Sequence, residues 1–305
     1  MTVSHVDGYL RKIMDDCVDD RAGEVADYIP ELAAVDPEGY GLSVAMHDGY
    51  LYSLGDADTA FTIQSVSKPL TYAMALSRLG PTEVDAKIGV EPSGEAFNQI
   101  SVDSRRRPKN AMINAGAIVA SSLLLPPVRD VGPEVVETTF AEILAFYSAC
   151  AGRQLTLNER VFESEAATGS RNRAIAYMLD SFGGLDTHPD AAIALYFRQC
   201  AIEVTTNDLA VMGTTIACGG ANPRTGRRVF SQEVAQRLLS VMTTCGMYDA
   251  AGDWVSADGM PAKSGVGGGI VAVLPGQLGI GVYSPLLDDK GNSVRGVQVC
   301  RSLSE

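Results

Sequence analysis

The sequence predicts an α+β protein in which strands from both chain ends build one antiparallel sheet, with a helical block inserted between them. Three observations carry this. Two short strand signatures joined by a turn stand near the start, Gly41 to Ala45 and Tyr50 to Leu54. The middle of the chain repeats apolar residues at steps of three and four. After about residue 255 the pattern changes to glycine-punctuated apolar runs.

Each element has its own signal. Val6, Leu10, Ile13, Met14 and Cys17 form one apolar stripe on a helix over Val3 to Val18. Pro30 holds Ile29 extended. His47-Asp48-Gly49 is the hairpin turn between the first two strands, and Gly55-Asp56 stops the second. Helices follow over Ser67 to Leu79, ending at Gly80-Pro81, and over Ala111 to Leu125, ending at Pro126-Pro127. Further helices read at Pro133 to Cys150, Asn172 to Phe182 and Asp190 to Cys200. Thr206-Asn207-Asp208 reads as the N-cap of a helix over Leu209 to Cys218, and Ser231 to Met242 is the last helix. Val266 to Leu274, Leu278 to Ser284 and Val294 to Cys300 read as three buried strands.

The 305 residues, 46% hydrophobic and 20% charged, suffice for one large core or two modest ones. No repeat, low-complexity tract or long linker divides them. Residues 1–305 therefore read as a single domain, with a sheet lobe roughly over 1–60 plus 255–305 and a helical lobe roughly over 61–254. Twenty-four basic residues against 37 acidic ones give a net charge of −13, which disfavours nucleic acid and anionic membrane surfaces. No window reaches the ~18 uninterrupted apolar residues of a membrane span. The charged stretch Asp7 to Asp20 does not read as a signal peptide. Six scattered cysteines without a C-x-x-C pair or Cys/His cluster point to reduced thiols in the cytoplasm and to no metal site.

The sharpest chemical signal is Gln64-Ser65-Val66-Ser67-Lys68 at a helix start. Ser65 and Lys68, three apart, share one helix face. A serine hydroxyl needs a neighbouring base to take its proton, and a desolvated lysine can be that base. The Ser65 N–H, in the open first turn, can help hold an oxyanion. The alternative is an N-cap serine beside a solvated lysine. Lys263-Ser264-Gly265, far down the chain, completes the S-x-x-K plus K-[ST]-G layout of serine β-lactamases and penicillin-binding proteins. The alternative there is a polar turn before a strand. The glycines at 265, 267, 268 and 269 argue against packing alone, because strand glycine marks close approach of a ligand or another backbone. His5, His47 and His188 have no Gly-x-Ser-x-Gly elbow to serve. Asn110 and Asn114 are amides in an apolar segment, and burying them costs roughly 1–3 kcal/mol each without partners. Glu165 precedes Asn172 by seven residues in what reads as loop, and Tyr248 sits between helix and loop. Asn172 as an N-cap and Tyr248 as a half-buried core residue remain the plain alternatives.

Together these blocks resemble the serine-dependent glutaminases. The carriers are Gln64-Ser65-x-x-Lys68, Asn114-Ala115-Gly116-Ala117-Ile118, Ser164-Glu165 with Arg171-Asn172, Tyr196-Phe197 before Cys200, Cys245-Gly246-Met247-Tyr248-Asp249 and Ala262-Lys263-Ser264-Gly265-Val266. In this order they run from about Tyr28 to Cys300 and look like the compact bacterial form. The resemblance implies the β-lactamase/penicillin-binding-protein fold with its α/β/α layering. It implies hydrolysis of L-glutamine to L-glutamate and ammonia without metal or cofactor, in a homodimer or homotetramer. Ser65 matches the nucleophile, Lys68 the base and Tyr248 a proton relay to the leaving ammonia. Tyr28, Gln64, Ser65, Asn114, Glu165, Asn172, Tyr196, Tyr248 and Val266 match the substrate contacts, Val266 through its backbone N–H. A β-lactamase or peptidase, and a non-catalytic amino-acid-binding relative, are the competing readings.

Overall fold

A computed structural model describes residues 5–94 and 101–304. The chain opens with α1 (His5–Cys17), the single turn α2 (Pro30–Ala33), the hairpin β1 (Gly41–Met46) and β2 (Leu51–Gly55), and the short β3 (Phe61–Thr62). A 3₁₀ turn, Gln64–Ser67, leads into α3 (Lys68–Leu79), followed by α4 (Pro81–Lys87), α5 (Asn114–Ser122) and α6 (Pro133–Ala151). Then come β4 (Thr156–Leu157), α7 (Glu159–Thr168), α8 (Ser170–Ser181), α9 (Pro189–Cys200), β5 (Ile202–Val204), α10 (Thr206–Ala217) and α11 (Gln232–Cys245). A 3₁₀ turn at Tyr248–Ala250 precedes α12 (Ala251–Ala257), β6 (Ala262–Ser264), β7 (Gly269–Leu274), β8 (Leu278–Tyr283) and α13 (Val294–Ser304).

The main sheet runs β2-β1-β8-β7-β6, antiparallel throughout, so strands from both chain ends meet at β1 and β8. The α+β expectation holds. Alternation along the strands makes the layers. Leu42, Val44, Ile280 and Val282 point to one face, where they pack with Leu10 and Ile13 of α1 and Val299 of α13. Val271 and Val273 point to the other face and join the larger core of the helical block. A small sheet, β3-β5-β4, ties the start of the 3₁₀ turn to the block, with the Ile63 N–H donating to Ile202 O at 2.8 Å.

The layer contact is made by α10, buried at every residue but Asn207. It starts from a capping box in which Thr205 and Asp208 satisfy each other's backbone N–H groups. It lies against β8 at Gly279 and Gly281. A Cβ on Gly279 would run into the Ala210 carbonyl and the Thr214 nitrogen, and one on Gly281 into Ala210 N at 2.8 Å. Among the described residues no helix is long and apolar enough to cross a membrane.

Several expectations need correction. Val294 to Cys300 is not a strand but lies in α13. Its buried residues Arg295, Gly296, Val299 and Cys300 keep a three-and-four spacing, and Ser293 Oγ accepts from the Gly296 N–H at 3.2 Å. Of the strand expected over Val266 to Leu274, only Gly269–Leu274 forms, as β7; the glycine turn at 265–268 precedes it and joins it to a separate strand, β6. The segment around Glu165, expected as loop, is α7, N-capped by Asn158. Gly80-Pro81 ends α3 but also starts α4, because Pro suits the first helical position. The helix expected from Ala111 begins at Asn114, and the cap of α10 is Thr205 rather than Thr206. Val3, the expected start of the first helix, lies outside the described residues.

The layer contact yields a test. Gly279→Ala should destabilise the fold by about 2 kcal/mol or more through overpacking. Gly8→Ala, in α1 with nothing within 4 Å of its added Cβ, should instead be neutral or gain up to ~1 kcal/mol. Urea melts of the two variants check the pair.

Candidate functional site

The local backbone builds the site around Ser65. The Lys68 N–H closes on Ser65 O in a 3₁₀ turn, where side chains three apart eclipse, so Ser65 and Lys68 stand on one face. Pro69 follows at the start of α3, where its missing N–H costs nothing. Gln64, just before, has φ of +49°. Among the described residues only three non-glycine residues have positive φ, and two of them, Gln64 and Tyr248, flank Ser65.

Lys68 is wholly buried. Burial pushes its pKa down to about 8. Its amine donates to Asn114 Oδ1 at 2.6 Å, and Asn114 Nδ2 donates to Asn172 Oδ1 at 2.9 Å. With that oxygen engaged, the Asn172 NH₂ remains as a donor toward a ligand. Neither Asn114 nor Asn172 is a cap: Asn114 opens α5 and Asn172 is the third residue of α8. Asn110 has a structural role. Its Oδ1 accepts from the N–H groups of Met112 and Ile113, and its Nδ2 donates to Glu91 O.

Glu165 on α7 is buried, and its carboxylate accepts from the Tyr28 hydroxyl at 2.7 Å. Burial raises its pKa, against the hydrogen bonds from Tyr28 and Gln64. Tyr28 is half-exposed, but its hydroxyl turns inward, and burial together with the Glu165 charge raises it well above the ordinary tyrosine value. The Tyr248 hydroxyl bonds the Ser65 side chain and donates to Ser264 O at 3.2 Å, while burial pushes its pKa up to about 12.

Eight of the nine expected contact residues line one pocket of about 340 Å³: Tyr28, Gln64, Ser65, Asn114, Glu165, Asn172, Tyr196 and Val266. The ninth, Tyr248, lies behind Ser65 and meets the pocket through that hydroxyl. Ala26, Thr168, Gly169, Arg171 and Cys200 complete the lining. Cys200 was legible, since it falls one helical turn after Tyr196 on α9. Lys263 and Ser264 are fully buried and lie in β6, so the alternative of a polar turn before a strand does not hold for them. Gly265 and Gly267 serve the approach of another backbone, and Gly269 that of an aromatic ring. A Cβ on Gly265 would lie 3.3 Å from Ser65 N, one on Gly267 2.9 Å from Thr62 O, and one on Gly269 2.7 Å from the Phe61 ring. Among the described residues no cluster of three or more His, Cys, Asp or Glu side chains could hold a metal.

An antiparallel sheet from both chain ends, a buried helical block and Ser-x-x-Lys on the turn between them define a protein of the β-lactamase-like class. The glutaminase family profile matches residues 23–305. The glutaminase of Corynebacterium glutamicum is 48% identical over 297 residues, 97% of this chain and 71% of that protein. Glutaminase 2 of Bradyrhizobium diazoefficiens is 50% identical over 299 residues, and there the chain spans only 47% of the relative's length. The crystal structure of Mglu in its glutamate form superposes with a TM-score of 0.92 at 47% identity, covering 99% of this chain and 69% of that one. The chain belongs to the glutaminase family.

The buried lysine has a consequence for stability. A lysine held at about 8 when folded and near 10.5 when unfolded opposes folding wherever the unfolded chain is protonated and the folded one must be too. The cost is full below pH 8 and fades between pH 8 and 10.5. Lys68→Met should therefore raise the melting temperature at pH 7, and the gain should shrink to nothing by about pH 10.5. Thermal melts at the two pH values test this.

Proposed function

We infer that this pocket carries the family's reaction: the chain is an amidohydrolase that converts L-glutamine to L-glutamate and ammonia, with Ser65 as the acyl-carrying nucleophile. The observation that carries this reading is the donor set around Ser65. Free glutamine presents an ammonium, a carboxylate and a side-chain amide. Among the described residues Glu165 is the one carboxylate on the pocket wall, and it suits the ammonium. Asn114, Asn172 and Tyr196 suit the carboxylate. That leaves the amide carbonyl for Ser65.

The steps follow from the groups available. Neutral Lys68 takes the Ser65 proton as Oγ attacks the amide carbon, and a pKa of about 8 leaves a useful neutral fraction near neutral pH. The N–H groups of Ser65 and Val266 receive the oxyanion. The C–N bond breaks as Tyr248 passes a proton to the departing nitrogen, and the proton that Lys68 took from Ser65 returns to the Tyr248 oxygen. Ammonia leaves an ester on Ser65, and water, deprotonated by the same base, releases glutamate. The β-lactamase or peptidase reading and the non-catalytic reading are not favoured, given the family and the presence of both Ser65 and Lys68.

The single-domain organisation, with the site in the seam between sheet and helical lobes, is part of the same proposal, as are a cytoplasmic location and a homodimer or homotetramer. None of the six cysteines forms a disulfide, which agrees with a reducing compartment. Light scattering on the purified protein decides the oligomer.

Ser65→Ala should lower kcat by several orders of magnitude while glutamine binding stays within about tenfold, because the hydroxyl serves the chemistry more than affinity. Ammonia release together with calorimetric titration of glutamine checks this, and near-normal turnover would end the covalent-serine reading. Glu165→Gln should lower kcat/KM for glutamine by roughly 10²-fold or more, since the bound ammonium loses its counter-charge. N-acetylglutamine, without the ammonium, should be a poor substrate and lose far less on this substitution. Equal losses for the two substrates would show that Glu165 acts elsewhere.

A further inference from the structure

The mechanism above leaves the buried lysine of β6 unused. Lys263 on β6 has no exposed surface, and it lies beside Tyr248 rather than in the pocket wall. A methionine would fill the same volume without the cost of desolvating an amine. We propose that Lys263 is a positioning residue for the glutaminase reaction: its amine fixes the Ser264 carbonyl and the ring of Tyr248, and so holds the Tyr248 hydroxyl against Ser65.

Two contacts carry this. The Lys263 amine donates to Ser264 O at 2.5 Å and sits 4.0 Å from the centre of the Tyr248 ring. The same Ser264 carbonyl accepts from the Tyr248 hydroxyl at 3.2 Å. One oxygen thus gathers both donors, and the tyrosine is held at its face by the amine and at its tip by the carbonyl. Tyr248 needs such clamping, because its φ of +53° is unfavourable for a bulky residue and persists only where its surroundings over-determine it. The next residue, Gly265, packs against the Ser65 N–H, and Val266 follows. Fixing the Ser264 peptide therefore also sets the turn that presents the Val266 N–H.

Charge fits the role. Burial, and the charge of nearby Lys68, push the Lys263 amine well below its ordinary value. A neutral amine still donates to a carbonyl and to an aromatic face. It can clamp Tyr248 without adding a second positive charge near Lys68.

The proposal rests on the reading of Tyr248 as the proton partner of Ser65, and a double-mutant cycle separates the two. Glutamine kinetics are measured for Lys263→Met, Tyr248→Phe and the double variant. Lys263→Met should lower kcat by about 10- to 100-fold while KM moves less than about threefold, because Glu165, Asn114 and Asn172 are untouched. Tyr248→Phe should cost at least about tenfold less in the Lys263→Met background than in the wild type. Additive losses, or a KM increase with kcat retained, overturn the positioning role alone. Full activity of Tyr248→Phe by itself overturns the reading of Tyr248, and this proposal with it. If Lys263→Met does not fold, the same cycle is run with Lys263→Gln and read in the same way.

Discussion

The Lys68 amine has no exposure to water, and much of the site follows from that burial. An ammonium in bulk water holds its proton too tightly to act as a base near neutral pH. Burial lowers its pKa to about 8. The solvation that is lost must be replaced by something polar, and a hydrogen bond from the amine to the Asn114 oxygen does this. A carboxylate at that position would raise the pKa again and remove the base. The side-chain amide is therefore the suitable neighbour on electrostatic grounds, and its second end then orients Asn172.

Keeping water out requires backbone to approach backbone, and this explains the glycines. The turn between β6 and β7 lies directly on the 3₁₀ turn that holds Ser65, with Gly265 against Ser65 N and Gly267 against Thr62 O. Gly246, before Tyr248, has its open side against the Ala262 carbonyl. Side chains at these positions would pry the sheet from the helix start. The two strained residues, Gln64 and Tyr248, sit at this tight junction, where neighbours on every side hold them in place.

On the proposed reading the pocket would meet a zwitterion with groups of differing charge. One buried carboxylate, Glu165, faces it, and its own desolvation is offset by hydrogen bonds from Tyr28 and Gln64. A ligand ammonium would complete that offset, which ties affinity to charge and not to area. Apart from Arg171, the remaining polar groups on the pocket wall are neutral.

The order of strands, helices and strands was legible because hydrophobic period is a local property. The alternation at Gly41 to Ala45 and the three-and-four stripes of α1, α6 and α9 are written in consecutive residues. Ser65 and Lys68 were legible for the same reason, being one turn apart, and the remaining site residues were legible only through the family blocks that carry them. Helix α13 was not read correctly, since a short run of valines reads equally as strand, and only packing against α1 and the Ser293 hydroxyl decides for helix. Helix α7 was hidden by its polar composition, with only Val161 and Glu165 buried. The burial of Lys263, the inward turn of the Tyr28 hydroxyl and the shared Ser264 carbonyl have no local signature. They arise between residues far apart in the chain, where a side chain's fate depends on what the fold brings to its tip. The sequence alone therefore determined the order of most elements and the pairing of Ser65 with Lys68 at a helix start. Tertiary structure alone decided which amines lose their water and which hydroxyls meet, because desolvation is a property of the packed interior.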